Sequence, residues 1–202
     1  TEIREYPLLS RGKVRDIYEI DSQTLLIVTT DRMSAFDVIL PDPIPYKGMV
    51  LNQISIFWMQ MFKDLAANHL IATDVKDFPA NLRDYASQLQ SRSILVHKAR
   101  PLPIECIVRG YITGSGWKDY LYSGKVCGHT LPQGLRESDK LEQALFTPST
   151  KAEQGAHDEN ITLDQARETI GQDLFDQVED LSLSIYHKAR EYAQKKGLII
   201  AD

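Results

Sequence analysis

The first thirty residues have the alternating pattern and the composition of β-strands. The segments RGKVRDIYEI and TLLIVTT are rich in β-branched and aromatic residues, and residues 21–23 between them have the composition of a turn. The pattern therefore predicts a β-hairpin over 11–30. Two later segments, 69–73 and 93–99, have the same character and predict further strands, separated by a polar insert with short helices.

Apolar residues at helical spacing predict two long helices, at 49–67 and at about 173–196. The stripe of the first helix is expected to lie in the core and consists of Leu51, Ile54, Phe57, Trp58, Met61, Phe62 and Leu65. The stripe of the second consists of Leu174, Val178, Leu181, Ile185, Ala189 and Tyr192. Gly197 is expected to end the second helix, and the LIIA that follows is expected to begin a buried strand. Thr162 and Gln165 have the spacing of a capping box at the start of a further helix.

The segment IECIVRGYITGSGW, residues 104–117, combines a strand pattern with a glycine motif. A strand is expected to lead into Gly110, which loosens the backbone, and a short helix is expected after the loop around Ser115, ending near Gly124. Loop amides beside a helix N-terminus can bind an anion, and Arg109 adds a bidentate donor. The alternative is a glycine-rich turn whose arginine forms a surface salt bridge.

Prolines and polar residues mark the remaining connections. Residues 125–146 are polar, show no clear period and are expected to form a long loop. The Arg-Pro-Leu-Pro sequence at 100–103 predicts a stiff crossover whose backbone groups can contact an adenine ring. We place a domain boundary there, which gives domains 1–100 and 101–202.

Composition narrows the functional class. The net charge of −5 argues against broad nucleic-acid binding, and no apolar run approaches the length of a membrane span. The N-terminal residues lack the pattern of a signal peptide, so a cytoplasmic location is expected. Cys106 and Cys127 are too few to indicate a disulfide framework or a zinc site, and His69 and His97 have no companions at metal-ligand spacing.

Three polar segments can bind phosphate or charge. Lys13 follows Gly12 at the start of a strand, although the P-loop motif is absent and a solvated lysine is the commoner case. The loop 31–37 carries two carboxylates, a guanidinium and a hydroxyl, which fit either a binding loop or a capped turn with an internal Asp–Arg pair. In the third segment, Lys151 lies near several acids and His157, and its compact ammonium suits a phosphate. For His157 we expect a structural or positioning role rather than metal binding or general-base catalysis.

Five blocks in this order resemble the phosphoribosylaminoimidazole-succinocarboxamide synthases, the SAICAR synthetase family of purine biosynthesis: GKVRDIY, TTDRMSAFDVILPDPIPYKG, VRGYITGSGW, FTPSTKAEQGAHDEN and GLIIAD. The resemblance implies a two-lobed α+β fold with a kinase-like or ATP-grasp-like nucleotide cleft. The β-rich N-terminal lobe would bind ATP, and the larger mixed α/β lobe would bind substrate and nucleotide. The implied reaction joins carboxyaminoimidazole ribonucleotide (CAIR) to L-aspartate with ATP, through an acyl phosphate, and gives SAICAR, ADP and phosphate.

The resemblance also implies roles for individual residues. Lys13 and Lys151 are expected to be catalytic residues that hold the phosphates of ATP. The expected ATP-binding set is Gly12, Lys13, Val14, Lys98, Arg100, Leu102 and Lys151. The expected substrate-binding set is Asp31, Ser34, Asp37, Arg109, Gly114 and Ser115. The partners would be small molecules, with neither nucleic acid nor membrane among them.

The family's Mg²⁺-binding acids are implied to lie beyond Asp202. We therefore expect no metal ligands within these residues, and we expect a 202-residue chain made alone to be inactive and prone to aggregate. Two other functions fit the same residues: a nucleotide-binding fragment without catalysis, and a kinase-like phosphotransferase. Neither HRD nor DFG occurs in the chain, which argues against the kinase.

Overall fold

The computed structural model describes residues 1–35, 38–151 and 158–202, which form two compact units, Thr1–Arg100 and Pro101–Asp202. Asp37 and His157, both singled out in the sequence, lie outside the described residues.

The strands and helices of the first unit are β1 (Leu8–Arg11), β2 (Arg15–Glu19), β3 (Thr24–Thr29), β4 (Ser34–Ala35), β5 (Val38–Ile39), α1 (Lys47–Met61), β6 (Leu70–Ala72), α2 (Ala86–Leu89) and β7 (Ser93–His97). Five of the strands form an antiparallel sheet of order β1-β2-β3-β7-β6. Short 3₁₀ helices at Val75–Asp77 and Ala80–Tyr85 form the insert before α2. The predicted hairpin, the strands β6 and β7 and the helical insert are confirmed.

Side chains alternate along each strand, so that β3 and β7 present apolar residues on both faces of the sheet, and both faces are covered. Leu26 and Val28 of β3 pack with Phe78 and Leu82 of the insert. On the opposite face, Ile56 of α1 packs against strands β3, β6 and β7. The sheet is therefore the middle layer of the first unit.

Helix α1 differs from its prediction in length and in orientation. It ends at Met61, and four residues of the stripe expected in the core are 38–48% exposed: Leu51, Ile54, Phe57 and Met61. The face that packs on the sheet contains Gly48, Asn52 and Ile56, spaced four residues apart. Gly48 allows a close approach, since a Cβ there would lie 2.3 Å from the carbonyl oxygen of Thr29. The prediction that the stripe is core is therefore wrong for these four residues, because the helix contacts the sheet through the face of Gly48, Asn52 and Ile56. In the same stripe, Phe62 is buried and Trp58 and Leu65 are half-buried.

A buried ion pair lies at the start of β2. The Asp16 side chain has no exposed surface, and its Oδ1 lies 2.7 Å from Nη2 of Arg32. Burial by itself would raise the pKa of Asp16, but its contacts with Arg32 and with the amino group of Thr1 outweigh burial and leave the pKa lowered. The carboxylate is therefore ionised at neutral pH and compensated by a guanidinium.

The second unit contains short strand pairs covered by helices. Its elements are β8 (Ile104–Glu105), β9 (Val108–Tyr111), α3 (Gly114–Ser123), β10 (Lys125–Val126), β11 (His129–Thr130), β12 (Lys140–Phe146), β13 (Ser149–Thr150), α4 (Leu163–Ile170) and α5 (Gln172–Gln194). The antiparallel pairs are β8 with β13, β9 with β12, and β10 with β11.

Two predictions in this unit are wrong. The strand expected at 104–109 is divided, because β8 and β9 pair with different partners, and Gly110 lies inside β9 rather than ending it. The long loop expected at 125–146 contains β10, β11 and the seven-residue β12. Pairing of β12 with β9 buries Leu141 and Phe146. This burial stabilises the strand, and it cannot be predicted from the local sequence alone.

The predicted helices α4 and α5 are present, and the capping box of Thr162 and Gln165 is confirmed. The buried face of α5 is rotated from the predicted one and contains Phe175, Tyr186, Ala189 and Ala193. Of the predicted stripe, Ala189 is buried and the other residues are half-buried. The aromatic rings of Phe175 and Tyr186 occupy the core of this unit, and they determine which face of α5 turns inward.

In the described part of the chain, none of the helices combines the length and the apolar content that a bilayer crossing requires.

The buried strand expected after Gly197 is absent from the described structure. Residues 198–202 have no regular secondary structure, and Leu198 and Ile199 are 64% and 75% exposed. Ile200 alone packs against the core of the second unit.

We expect Asp16→Asn to destabilise the chain by about 3 kcal/mol or more at pH 7, because it leaves the Arg32 guanidinium without its buried partner. Since the folded-state pKa of Asp16 is lowered, its stabilisation is complete above the unfolded-state pKa of about 4 and is lost as the pH falls through the folded-state pKa. Urea unfolding at a series of pH values should show the wild-type advantage shrinking only below about pH 4. An advantage that is constant down to pH 3 would contradict the assignment.

Candidate functional site

Arg109 is a buried charge at the centre of the second unit. It lies on β9, and the residue is 5% exposed. Its Nη2 donates to Oγ of Ser115 at 2.9 Å, and its Nη1 lies 3.3 Å from Oδ2 of Asp202. Its Nε is buried and has no hydrogen-bond partner among the described residues. A buried guanidinium whose Nε–H has no partner can donate a hydrogen bond to a further, anionic ligand.

The glycine motif forms the first turn of α3 rather than a loop before it. The helix begins at Gly114, and Thr113 at the N-cap position makes no side-chain capping bond within the described structure. A Cβ on Gly116 would lie 3.1 Å from Cδ and Nε of Arg109, so glycine lets this turn lie directly against the guanidinium. The amide groups of the turn are at the positive end of the helix dipole, and Ser115 projects from the same turn.

A hydrogen-bonded chain continues from Ser115. Its Oγ donates to Oδ1 of Asn160 at 3.3 Å, and Nδ2 of Asn160 donates to Oδ2 of Asp119 at 2.7 Å. A guanidinium, a hydroxyl, an amide and a carboxylate are therefore connected in sequence. At its Asp119 end, this series of hydrogen bonds borders a cavity of about 380 Å³. The residues that line the cavity include Asp119, Asn160, Thr162 and Gln165.

Cys127 also lines this cavity, but its thiol is not a nucleophile at neutral pH. Burial raises the pKa of Cys127 to about 11, and the negative charge of Asp119 acts in the same direction. Its Sγ lies 3.6 Å from the carbonyl oxygen of Pro148. The thiol of Cys127 is therefore protonated at neutral pH.

In the first unit, the turn between β1 and β2 contains Gly12, Lys13 and Val14. Arg32 donates to the carbonyl oxygens of Gly12 at 2.9 Å and of Lys13 at 3.2 Å. The carbonyl oxygen of Val14 accepts hydrogen bonds from the backbone N–H and from Oγ1 of Thr30. The buried pair of Asp16 and Arg32 thus fixes the conformation of a turn predicted to bind ATP.

Asp31 has structural contacts on both carboxylate oxygens. Its Oδ1 accepts from the N–H of Gly48 at 2.9 Å, and its Oδ2 lies 3.1 Å from Nη2 of Arg92. Burial would raise the pKa of Asp31, but the bonds from Arg92 and Gly48 outweigh it and lower the pKa. Asp31 therefore joins the first turn of α1 to Arg92, the residue before β7, in an Asp–Arg pair whose arginine comes from elsewhere in the chain.

Within the described structure, the other predicted residues make no hydrogen bond or ion pair to the residues of these clusters. Ser34 is half-buried in β4, and Arg100 is exposed at the end of the first unit. Lys98 forms an ion pair with Glu19 at 2.6 Å. Leu102 packs against the core of the second unit, and Lys151 is exposed directly after β13.

Three residues of the hydrogen-bonded chain were not predicted as site residues: Asp119, Asn160 and Asp202. Asn160 and Asp202 lie within sequence blocks that carry the family resemblance, but their partners are 45 and 93 residues away. Asp119 lies in the helix after the glycine motif, at a position that resembles any polar helix surface. Among residues 1–35, 38–151 and 158–202, no group of three or more His, Cys, Asp or Glu side chains is placed to hold a metal ion.

Known proteins are similar to this chain in sequence and in fold. The family model described as SAICAR synthetase matches residues 8–202. The phosphoribosylaminoimidazole-succinocarboxamide synthases of Maridesulfovibrio salexigens and Geobacter sulfurreducens are 65% and 59% identical over 202 residues, which is all of this chain and 68% of each relative. A solved structure titled SAICAR-synthase from Saccharomyces cerevisiae complexed SAICAR superposes with a TM-score of 0.91 at 47% identity, covering all of this chain and 68% of that one.

A more distant solved structure, a type-2 SAICAR synthetase in complex with ADP, has the same fold, with a TM-score of 0.73 at 22% identity over 95% of this chain and 71% of that one. The predicted mixed α+β fold class is confirmed by these structures. With a family match over residues 8–202 and relatives up to 65% identical, the chain belongs to the SAICAR synthetase family.

Proposed function

We propose that the second unit binds the phosphate of the imidazole nucleotide in the ligase reaction of this family. The family role is formation of SAICAR in purine biosynthesis, with ATP as the energy source. The observation that carries the proposal is the buried guanidinium of Arg109, whose Nε is unpaired in the described structure beside the uncapped first turn of α3. Gly114 and Ser115 supply the amides and the hydroxyl of that turn. This donor set fits a phosphate monoester.

ATP binding is proposed for two lysines and for the segments that carry them. Lys13 lies in the turn held by Arg32, and its compact ammonium suits a phosphate oxygen. Lys151 is exposed after β13 and is proposed for the same ligand. The remaining members of the proposed ATP-binding set are Gly12, Val14, Lys98, Arg100 and Leu102, and those of the proposed substrate-binding set are Asp31, Ser34 and Asp37.

The reaction has two bond-forming steps. A carboxylate oxygen of CAIR attacks the γ-phosphorus of ATP, the bond to the bridging oxygen breaks, and ADP leaves with the electron pair. The amine nitrogen of aspartate then attacks the acyl carbon, the bond from that carbon to the phosphate oxygen breaks, and phosphate leaves while the nitrogen loses a proton. Such chemistry depends on orientation and on compensation of phosphoryl charge, to which arginine, lysine and hydroxyl groups can contribute.

Mg²⁺ belongs to the same proposal as a partner of ATP, since bound divalent ions neutralise phosphoryl oxygens. The described residues do not identify its ligands. Membership of a family of biosynthetic enzymes supports the cytoplasmic location expected from the sequence.

A direct assay tests the proposed activity. The naturally encoded protein that contains these residues is expected to form SAICAR, ADP and phosphate only when CAIR, L-aspartate and ATP are all present. Binding of ATP and CAIR without product formation would instead support a nucleotide-binding protein without catalysis. Phosphate transfer to another acceptor would support the phosphotransferase alternative.

Arg109→Ala should raise the KM for CAIR by about 10- to 100-fold, because it removes a charge-assisted contact worth about 1.5–3 kcal/mol. The KM for ATP should change little. Arg136→Ala is the matched control, because Arg136 is an exposed arginine of the same unit whose ion pair with Asp139 is also at the surface. An unchanged KM for CAIR together with a loss of ATP binding would mean that Arg109 serves the other substrate.

Lys151→Met keeps the length and apolar stem of the side chain but removes its charge, so the protein should fold. We expect the KM for ATP to rise about tenfold or more, consistent with one lost charge-assisted contact. Lys195→Met provides the control, because Lys195 is exposed and pairs with Glu191 on α5. Unaltered ATP affinity and turnover in Lys151→Met would exclude the assigned role.

A further inference from the structure

Tyr186 on α5 contacts the chain segment that follows this helix. Its hydroxyl donates to the carbonyl oxygen of Ile200 at 2.9 Å. One residue further on, the carbonyl oxygen of Ala201 accepts the N–H of Gly110 at 2.8 Å. Gly110 follows Arg109 directly in β9. Two consecutive peptide groups are therefore bound, one to the core helix and one to the strand that carries the buried arginine.

Asp202 is the next residue in this segment, and it is the acidic partner of Arg109 at 3.3 Å. Its own side chain is 50% exposed, and residues 198–202 have no regular secondary structure. Leu198 and Ile199 are exposed, so they add little packing to hold the segment. Among the described residues, the two backbone hydrogen bonds and the packing of Ile200 hold this segment and so place the Asp202 carboxylate.

The side chain of Tyr186 fits against a glycine. A Cβ placed on Gly110 would lie 1.8 Å from the Tyr186 hydroxyl oxygen, so the phenol fills space that any side chain at 110 would need. Tyr186 is buried, and burial raises the pKa of its hydroxyl. The phenol consequently stays protonated at neutral pH and keeps donating to Ile200.

We propose that Tyr186 is a positioning residue for the nucleotide-phosphate site: it holds residues 200–202 against β9, so that Asp202 orients the guanidinium of Arg109 toward Ser115 and the bound phosphate. This inference rests on the proposed function of Arg109. Without the hydroxyl of Tyr186 the segment loses one of the two backbone anchors seen among the described residues, and the carboxylate no longer has a defined place on Nη1. The guanidinium then retains Ser115 but loses the ionic contact that orients Nη1.

The test uses Tyr186→Phe in the naturally encoded protein, which keeps the ring in the core and removes only the hydroxyl. The KM for CAIR and the Kd for SAICAR by calorimetry should each rise about three- to tenfold, as for the indirect loss of one hydrogen bond. The KM for ATP and the value of kcat at saturating CAIR should stay within about twofold of wild type. Tyr122→Phe is the matched control, because Tyr122 is 94% exposed in the same unit.

A double-mutant cycle with Asp202→Asn separates positioning from a general loss of stability. If Tyr186 acts through Asp202, then Tyr186→Phe should scarcely change the Kd for SAICAR in the Asp202→Asn background. Its effect on the melting temperature should be the same in both backgrounds. Additive effects on the Kd would overturn the proposal.

The remaining outcomes are also decisive. If wild type forms SAICAR and Tyr186→Phe binds it as wild type does, the positioning role is wrong and the proposed function stands. If wild type forms no SAICAR, both are overturned. Should Tyr186→Phe fail to fold, Asp202→Asn alone serves: an unchanged KM for CAIR in that variant would show that residues 200–202 do not act on the site.

Discussion

The candidate site in the second unit is organised around one buried positive charge. Taking a guanidinium out of water costs several kcal/mol unless ionic and hydrogen-bonding partners replace the solvent. Arg109 obtains these partners from three parts of the chain: the first turn of α3, the segment after α5 and, through Ser115, the residues before α4. The need to compensate one side chain therefore brings these segments together. An unpaired donor, Nε of Arg109, remains within the described residues, and this is the group that we propose for the nucleotide phosphate.

The first unit also contains a buried charge that must be compensated, and there the charge is negative. Asp16 is fully buried, and Arg32 compensates it while also donating to the backbone of the turn at Gly12 and Lys13. Asp31 similarly joins Arg92 to the first turn of α1. In each case a charged pair fixes backbone geometry beside residues proposed to bind ligands. Preorganisation of this kind limits the entropy that a binding loop loses when its ligand arrives.

The hydrogen-bonded chain from Arg109 to Asp119 explains why sequence reasoning found only part of the site. Arg109 and Ser115 are six residues apart, and their proximity follows from a strand that leads into a helix. Asn160 and Asp202 reach the same site by folding of distant segments. The two glycines beside Arg109 also differ in whether the residue that requires them is near or distant in the sequence. Gly116 has a local reason, since the first turn must lie on Arg109, whereas the requirement at Gly110 comes from Tyr186 on a distant helix.

The sequence by itself determined the elements whose causes are local, together with the family. The hairpin of β2 and β3, the capping box of α4 and the glycine at the end of α3 each depend on neighbouring residues, and each was predicted correctly. Tertiary structure decided which apolar face was buried. The wide stripe of α1 is largely exposed because close packing at Gly48 selects another side, and β12 is a strand because β9 provides its hydrogen-bond partner. Burial and strand pairing are properties of two segments at once, and a pattern within one segment does not contain the other.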